Sequence, residues 1–284
     1  MDKIYADLHV HSYFSDGSMS PAEIVEAAIE NGVGLLAIAD HNILECNYLA
    51  PELCFAHGIN YIHAVEIDTL DKDGLQHILA YGFDITNSLF VDFIKHSRFL
   101  LDEMSIKLIE CMQSDYLSIS LNDFFEYEYN KQLGGWKGLH YLLDIGISSS
   151  LKEGIRFYSD YGVTHSKAGF SSIAATAHRI KNAGGYSVLS HPGDMLDTSD
   201  INSFKEEMKR IISYGVDGIE CYYPNNTEAV TQACLEVCNE YDLIITAGSD
   251  CHGTFFTNRV GEMDIPVSNL RLKELNEKIV RAAP

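Results

Sequence analysis

The sequence predicts an α/β fold in which strands and helices alternate around a closed or distorted parallel barrel, interrupted once by a mainly helical insertion. Three features carry that expectation. Short apolar runs of strand length are separated by amphipathic stretches of helix length. Capping residues and glycine stops mark the change from one to the other. Seven such units, with no guarded edge strand among them, favour closure over an open doubly wound sheet. At 284 residues and 46% hydrophobic composition the chain has the material for one large core.

Taken in order, Ile4 to His11 alternates with the two-residue period of a strand, placing Leu8 and Val10 on one side and Asp7, His9 and His11 on the other. A helix over 21–31 follows, with Ser20 as its cap, Pro21 at its first position, Glu23 completing a capping box and Gly32 as its stop. Gly34 to Ala39 makes the second strand, ending at Asp40 and His41. Asn60 to Val65 reads as a strand ending at Glu66, His77 to Phe83 as one beginning at His77, and Tyr186 to Ser190 as one ending at His191. Gly218 to Cys221 and Leu243 to Ala247 complete the set, with helices over Ile201 to Tyr214 and Glu228 to Tyr241 between them. The stretch from Ser268 to Ala282 reads as a closing helix. From 86 to 170 the alternation lapses into helical segments, Phe90 to Met112 and Leu139 to Ile145, and a Tyr-, Ser- and Gly-rich passage. The expected division is therefore a barrel domain built from 1–85 and 171–284, and an inserted substrate or lid domain, 86–170.

With 20 Lys and Arg against 41 Asp and Glu the formal charge is −21, which repels duplex nucleic acid and anionic membranes. Residues 97 to 180 carry 8 basic and 10 acidic side chains, so the middle of the chain is the less repulsive place for an anionic substrate. The longest apolar runs, such as Val33 to Ala39, fall far short of the roughly 20 residues a bilayer span requires, and no charged-then-apolar leader precedes Tyr5. A soluble, cytoplasmic protein is expected. Seven cysteines without a CxxC pair point to reduced thiols used in packing. Cys251 is among them, its sulfur turned away from its neighbours by alternation.

The 12 histidines carry the functional signal. His9 and His11, two apart on a strand, point the same way and can meet one metal ion, with Asp16 in the loop beyond. His41, Glu66, His77, His191, Asp250 and His252 then fall at or beside strand ends, which a parallel barrel gathers on one rim. A solitary histidine at a strand end is more often a packed or surface residue than a ligand. Nine such placements of imidazoles and carboxylates outweigh that simpler explanation, whereas His57, His63, His96, His140 and His165 lie outside the pattern. Mixed nitrogen and oxygen donors suit zinc, manganese or iron, and nine ligands exceed the needs of one ion, so two or three divalent ions are expected. Such a cluster lowers the pKa of a bound water and neutralises an anionic substrate, the requirements for hydrolysing a phosphate ester.

These residues resemble the polymerase and histidinol phosphatase (PHP) superfamily. Its opening motif matches Asp7-Leu8-His9-Val10-His11-Ser12 with Asp16 following, and its later motifs match Ala39-Asp40-His41-Asn42, Glu66, His77, Ser190-His191-Pro192 and Gly248-Ser249-Asp250-Cys251-His252. The likeness covers residues 4 to 84 and 171 to 264. It implies a distorted (β/α)7 barrel with a trinuclear centre: His9, His11, Glu66 and Asp250 on one ion, Glu66, His77 and His191 on a second, Asp16, His41 and His252 on a third. Asp250, His191 and Glu66 would stand closest to the chemistry, and Asp7 and Asp40 would orient neighbouring imidazoles. The Ser-Asp-Gly-x-x-Ser-Pro continuation is similar to the stand-alone branch that contains phosphatases of nucleoside 3′,5′-bisphosphates and short-oligonucleotide exonucleases.

One departure bears on substrate. That branch carries a Gly-Arg-Pro-His segment in its insertion, whereas this chain has Gly135-Trp136-Lys137-Gly138-Leu139-His140. Lys137 and His140 are candidate replacements, and Arg156, His178 and Arg179 are further candidates for phosphate contacts. Trp136, the only tryptophan, suits packing in the lid or stacking on a base. The expected activity is hydrolysis of a phosphate monoester of a small metabolite, nucleotide or short oligonucleotide by an ion-activated hydroxide. The alternatives are a histidinol-phosphate phosphatase and a catalytically idle metal-binding regulatory module.

Overall fold

Strand β1, Tyr5–Val10, is buried along nearly its whole length, so both of its faces need cover. The computed structural model, which describes residues 4–72 and 74–282, meets that need by setting two sheets against each other with helices outside. In the first sheet β1 pairs in parallel with β2, Val33–Ile38, and β2 with β3, Asn60–Tyr61. Helix α1, Pro21–Glu30, joins the first two strands, and α2, Glu45–Ala56, leads from the second to the third. The capping box forms as expected: Ser20 Oγ accepts from the Glu23 backbone N–H at 3.2 Å, and the Glu23 carboxylate accepts from that of Ser20 at 2.7 Å.

The second sheet runs β4 (Ala64–Asp71), β5 (Gly74–Tyr81), β6 (Tyr186–Leu189), β7 (Gly218–Tyr222), β8 (Ile244–Ala247). Between β5 and β6 lie α3 (Ser88–Met112), α4 (Leu121–Glu126), α5 (Lys137–Asp144), α6 (Leu151–Asp160) and α7 (His165–Ala168), followed by α8 (Ile173–Asn182). Helices α9 (Pro192–Met195), α10 (Ile201–Ile212) and α11 (Glu228–Tyr241) connect the remaining strands. Ile24, Val25 and Cys54 pack α1 and α2 on the outside of the first sheet, and Ile180, Phe204 and Val237 pack α8, α10 and α11 on the second. Leu8, Leu35, Leu79 and Val188 fill the space between the sheets. Helices α3 to α5 build a separate apolar cluster around Leu108, Phe124 and Leu142.

Three expectations change. The sheet is not wholly parallel, because β4 and β5 form an antiparallel hairpin and β5 also runs antiparallel to β6. Glu66 consequently lies inside β4 rather than at the end of a strand, and His77 lies inside β5. The segment 268–282 holds two short 3-10 turns instead of a closing helix, with Leu272 and Leu275 plugging the space between the sheets.

The two sheets touch at two seams. At one, His41 bridges Glu66 and the Glu66 N–H donates to the Ala39 carbonyl at 3.1 Å. At the other, Val10 bridges Cys251, the Asp250 N–H donates to the His9 carbonyl at 2.8 Å, and the His11 N–H donates to that of Cys251 at 2.9 Å. Among the described residues these contacts are single bridges, and no continuous ladder closes the strands into a ring.

Candidate metal centre

Both seams are flanked by the residues that carry the chemistry. Strand β1 and the residue after it bring the Nε2 atoms of His9 and His11 within 3.0 Å of each other. Glu66 Oε2 sits 3.2 Å from each of those nitrogens, and Asp250 Oδ1 sits 3.4 Å from the first and 3.1 Å from the second. Such spacings are the edges of a tetrahedron of nitrogen and oxygen donors about 2 Å from its centre, the distance at which zinc-type ions are held. Glu66 Oε2 and Asp250 Oδ1 are buried without a hydrogen-bond partner, so lone pairs inside this cage wait for a cation. The donor set and the unpartnered oxygens fit a metal ion.

Two further groups share these residues. Glu66 Oε1 lies 3.2 Å from His77 Nδ1 and 3.0 Å from His191 Nε2, and the two nitrogens are 3.4 Å apart. His252 Nε2 lies 3.3 Å from Asp16 Oδ2 and His11 Nδ1 3.5 Å from Asp16 Oδ1, with His41 in the same group. The carboxylate of Glu66 therefore stands between neighbouring groups, as a bridging ligand must. Backbone strain collects here too: His191 and Asp250, in the turns after β6 and β8, have φ of 21° and 52°.

Charge is balanced by imidazole protons. Burial pushes the Glu66 carboxyl up, but His9, His41 and His77 more than reverse this and hold it well below the carboxylate range. Burial likewise opposes charge on His41 and His252, yet Glu66 and Asp16 raise the former to about 10, and Asp16 and Asp250 raise the latter to about 9. For His77 burial prevails and its pKa falls. Carboxylates this crowded are matched either by protons on the imidazoles or by cations between them.

Comparison with known proteins agrees with this chemistry. The PHP domain profile matches residues 7–213. The chain belongs to the PHP domain family. A curated relative, the 5'-3' exoribonuclease of Haemophilus influenzae, is 28% identical over 89% of this chain and 91% of its own length. The 3',5'-nucleoside bisphosphate phosphatase of Chromobacterium violaceum is 24% identical over 98% of both chains. A solved structure from Bifidobacterium adolescentis, described as a metal-dependent phosphoesterase, superposes with a TM-score of 0.72 at 26% identity over 90% of both chains.

All nine ligand candidates of this PHP chain meet in one place, but the expected supports do not. Asp7 receives the N–H and hydroxyl of Ser249 at 2.9 and 2.7 Å and the Gly261 N–H at 2.7 Å. Asp40 receives the N–H and hydroxyl of Ser12, both at 2.7 Å, and the hydroxyl of Ser15 at 2.6 Å. Both carboxylates thus fasten loops rather than imidazoles, the β1 register being irregular between Asp7 and Val10. The imidazoles are instead steadied by two residues that sequence reasoning missed. Glu220 Oε1 lies 3.1 Å from His9 Nδ1, while its Oε2 accepts the His191 N–H at 2.9 Å. Asp68 Oδ1 lies 3.2 Å from His41 Nδ1 and 3.5 Å from His77 Nε2. Each carried a signal, Asp68 standing two residues after Glu66 on the same strand face and Glu220 being the one charge in an apolar strand.

A cleft of about 1080 Å³ opens beside the centre, lined by Asp16, His41, Asp68 and His77 at one end and by residues of the insertion at the other. Lys137 and Arg156 line it, as do Arg98 and Lys131. His140 is buried, its Nε2 placed 2.7 Å from the Gly134 carbonyl and its ring stacked on Tyr129. His178 and Arg179 are not on the cleft wall: α8 buries Ile173, Thr176, Ala177 and Ile180, which turns both outward, His178 to Asn182 and Arg179 over the Phe93 ring. The Trp136 Nε1–H donates to the Tyr158 hydroxyl at 2.7 Å in the cleft wall. Cys251 is buried in the apolar cluster around α1 and α2, as expected of a packing thiol.

Proposed function

We propose that this chain, a phosphoester hydrolase of the PHP type, removes the phosphoryl group from a phosphate monoester of a small metabolite, nucleotide or short oligonucleotide. The observation that carries the reading is the four-atom cage of His9, His11, Glu66 and Asp250, with its unpartnered carboxylate oxygens, next to His41, Asp16 and His77, which line one end of a large cleft. His9, His11, Glu66 and Asp250 would hold one divalent ion, Glu66, His77 and His191 a second, and Asp16, His41 and His252 a third. Ions bound there supply Lewis acidity, lower the pKa of water and offset the charge of the substrate.

The remaining work belongs to the protein. Glu220 and Asp68 hold ligand imidazoles in place, which keeps the centre organised before substrate arrives. Residues 86–170 act as the lid and specificity wall. Aromatic and aliphatic side chains, among them Phe14, Leu101, Phe124 and Trp136, enclose the organic part of the ester and exclude water. Arg98, Lys131, Lys137 and Arg156 give that wall a cationic face suited to further anionic groups.

Asp250→Ala and Glu66→Ala should each lose bound metal and turnover together, as measured by elemental analysis and phosphate release. Full activity of either variant in a metal-free preparation would overturn the assignment. Parallel rates on adenosine 3′,5′-bisphosphate and histidinol phosphate identify the substrate branch, and the enclosed aromatic wall leads us to expect the nucleotide to be preferred.

A further inference from the structure

His165 stands outside every motif of the ligand set, yet the insertion delivers it to the metal centre. It opens the short helix α7, lines the cleft, and keeps a quarter of its side chain exposed to it. Its Nε2 lies 3.4 Å from Asp68 Oδ2, and its ring leans on Phe170 at 5.1 Å between centroids. The other oxygen of Asp68 faces His41 and His77, so the carboxylate spans the gap between the ligand imidazoles and His165. Among the described residues, His165 is the cleft-lining imidazole that takes no part in the three ligand groups. It shares the cleft wall with His41 and His77, two imidazoles of the ligand groups.

We propose that His165, oriented by Asp68, is the general acid that protonates the leaving group. The step, which rests on the phosphoesterase reading, balances simply. Water adds to phosphorus, the ester P–O bond breaks, and the departing oxygen takes a proton from the imidazolium of His165 to leave as the neutral alcohol. The proton released by the attacking water passes to solvent, and the neutral imidazole recovers its proton from there. Asp68 stays ionised throughout, stabilising the imidazolium by charge and holding the ring toward the cleft.

Leaving-group dependence separates an acid from a structural prop. His165→Ala and His165→Gln would be assayed as holoenzymes on an alkyl phosphate and on p-nitrophenyl phosphate, whose phenolate departs without a proton. A general acid is worth roughly 10²- to 10⁴-fold. The alkyl ester should therefore slow by that much in both variants, while the aryl ester slows by less than about tenfold and elemental analysis shows wild-type metal content. In the full-length protein at fixed pH, Asp68→Asn should shift the imidazole ¹⁵N resonances of His165. Equal slowing of both esters, no slowing of either, or loss of metal from both variants would overturn the proposal. A wild-type holoenzyme that cleaves neither ester would refute the phosphoesterase reading itself, and this assignment with it.

Discussion

At the scale of single residues, what distinguishes the candidate centre is that some carboxylates, Glu220 and Asp68 among them, face imidazoles from outside the four-atom cage. Glu220 is fully buried and reaches both the ring of His9 and the backbone of His191, so it steadies candidate ligands from two of the proposed groups at once. Glu220→Gln keeps the size and loses the charge; we expect metal affinity to fall about 10- to 100-fold, read by chelator competition, with the fold retained. Unchanged affinity would show that His9 is held by packing alone. The candidate ligands, which the structure brings together, were legible because imidazoles recur beside strand ends at spacings that packing does not demand. Asp68 and Glu220 were passed over, because an acid two residues from Glu66 and a lone charge in an apolar strand are weak signals until the imidazoles they face are known. His165 was set aside for the same reason: it lies nearly a hundred residues from the acid it faces, and only the path of the insertion joins them. Gly248 sets the tolerance of this arrangement. A Cβ there would come within 2.2 Å of His9 Cβ and 2.5 Å of Glu220 Oε1. Gly248→Ala should cost about 1–3 kcal/mol in urea unfolding, by overpacking, and weaken metal binding as well.

At the scale of elements, helices were read more faithfully than strand directions. Glu228–Tyr241 and the capping box before α1 stand where composition and periodicity put them. Ser20→Ala should lower stability by about 1 kcal/mol in denaturant titration while leaving metal content intact, since the cap serves α1 and touches no ligand. The hairpin of β4 and β5 escaped notice because alternation has the same two-residue period in parallel and antiparallel strands. The end of the chain misled in the opposite sense. Leu272, Leu275 and Ile279 mimic a helical stripe, but Tyr61 pairs with Val280 and Ile245 with Arg271, so the segment is drawn out against both sheets and its leucines close the space between them. The hairpin also has a functional consequence: it places Glu66 and Asp68 of one strand opposite Leu79 and His77 of the next, stacking ligand and support on one surface.

At the scale of the whole molecule, a protein of charge −21 gathers Asp16, Glu66, Asp68, Glu220 and Asp250 around the centre proposed to take an anionic substrate, and the protonation of the centre offsets them. In the metal-free chain His41 and His252 titrate near 10 and 9, and His9 and His191 are also raised, burial being outweighed in each by facing carboxylates. His41 and His252 are therefore protonated at neutral pH and must shed protons to accept ions. Metal affinity should rise with pH between 6 and 8, by at least about one logarithmic unit per pH unit, and uptake near pH 7 should release protons countable in a weakly buffered titration. Stability follows the same sign. Raised imidazoles stabilise the metal-free fold fully below an ordinary histidine pKa of about 6.5, and that contribution is lost as pH climbs through 9 to 10. Asp16, Glu66 and Asp250, all held low by the same histidines, set the opposite edge in acid. Ions in place of the protons remove the alkaline edge, so the melting temperature of the loaded protein should hold between pH 8 and 10 while that of the chelated protein falls. Parallel melting curves for both forms across that range, with no protons released on loading, would mean that the imidazoles are not exchanging protons for metal.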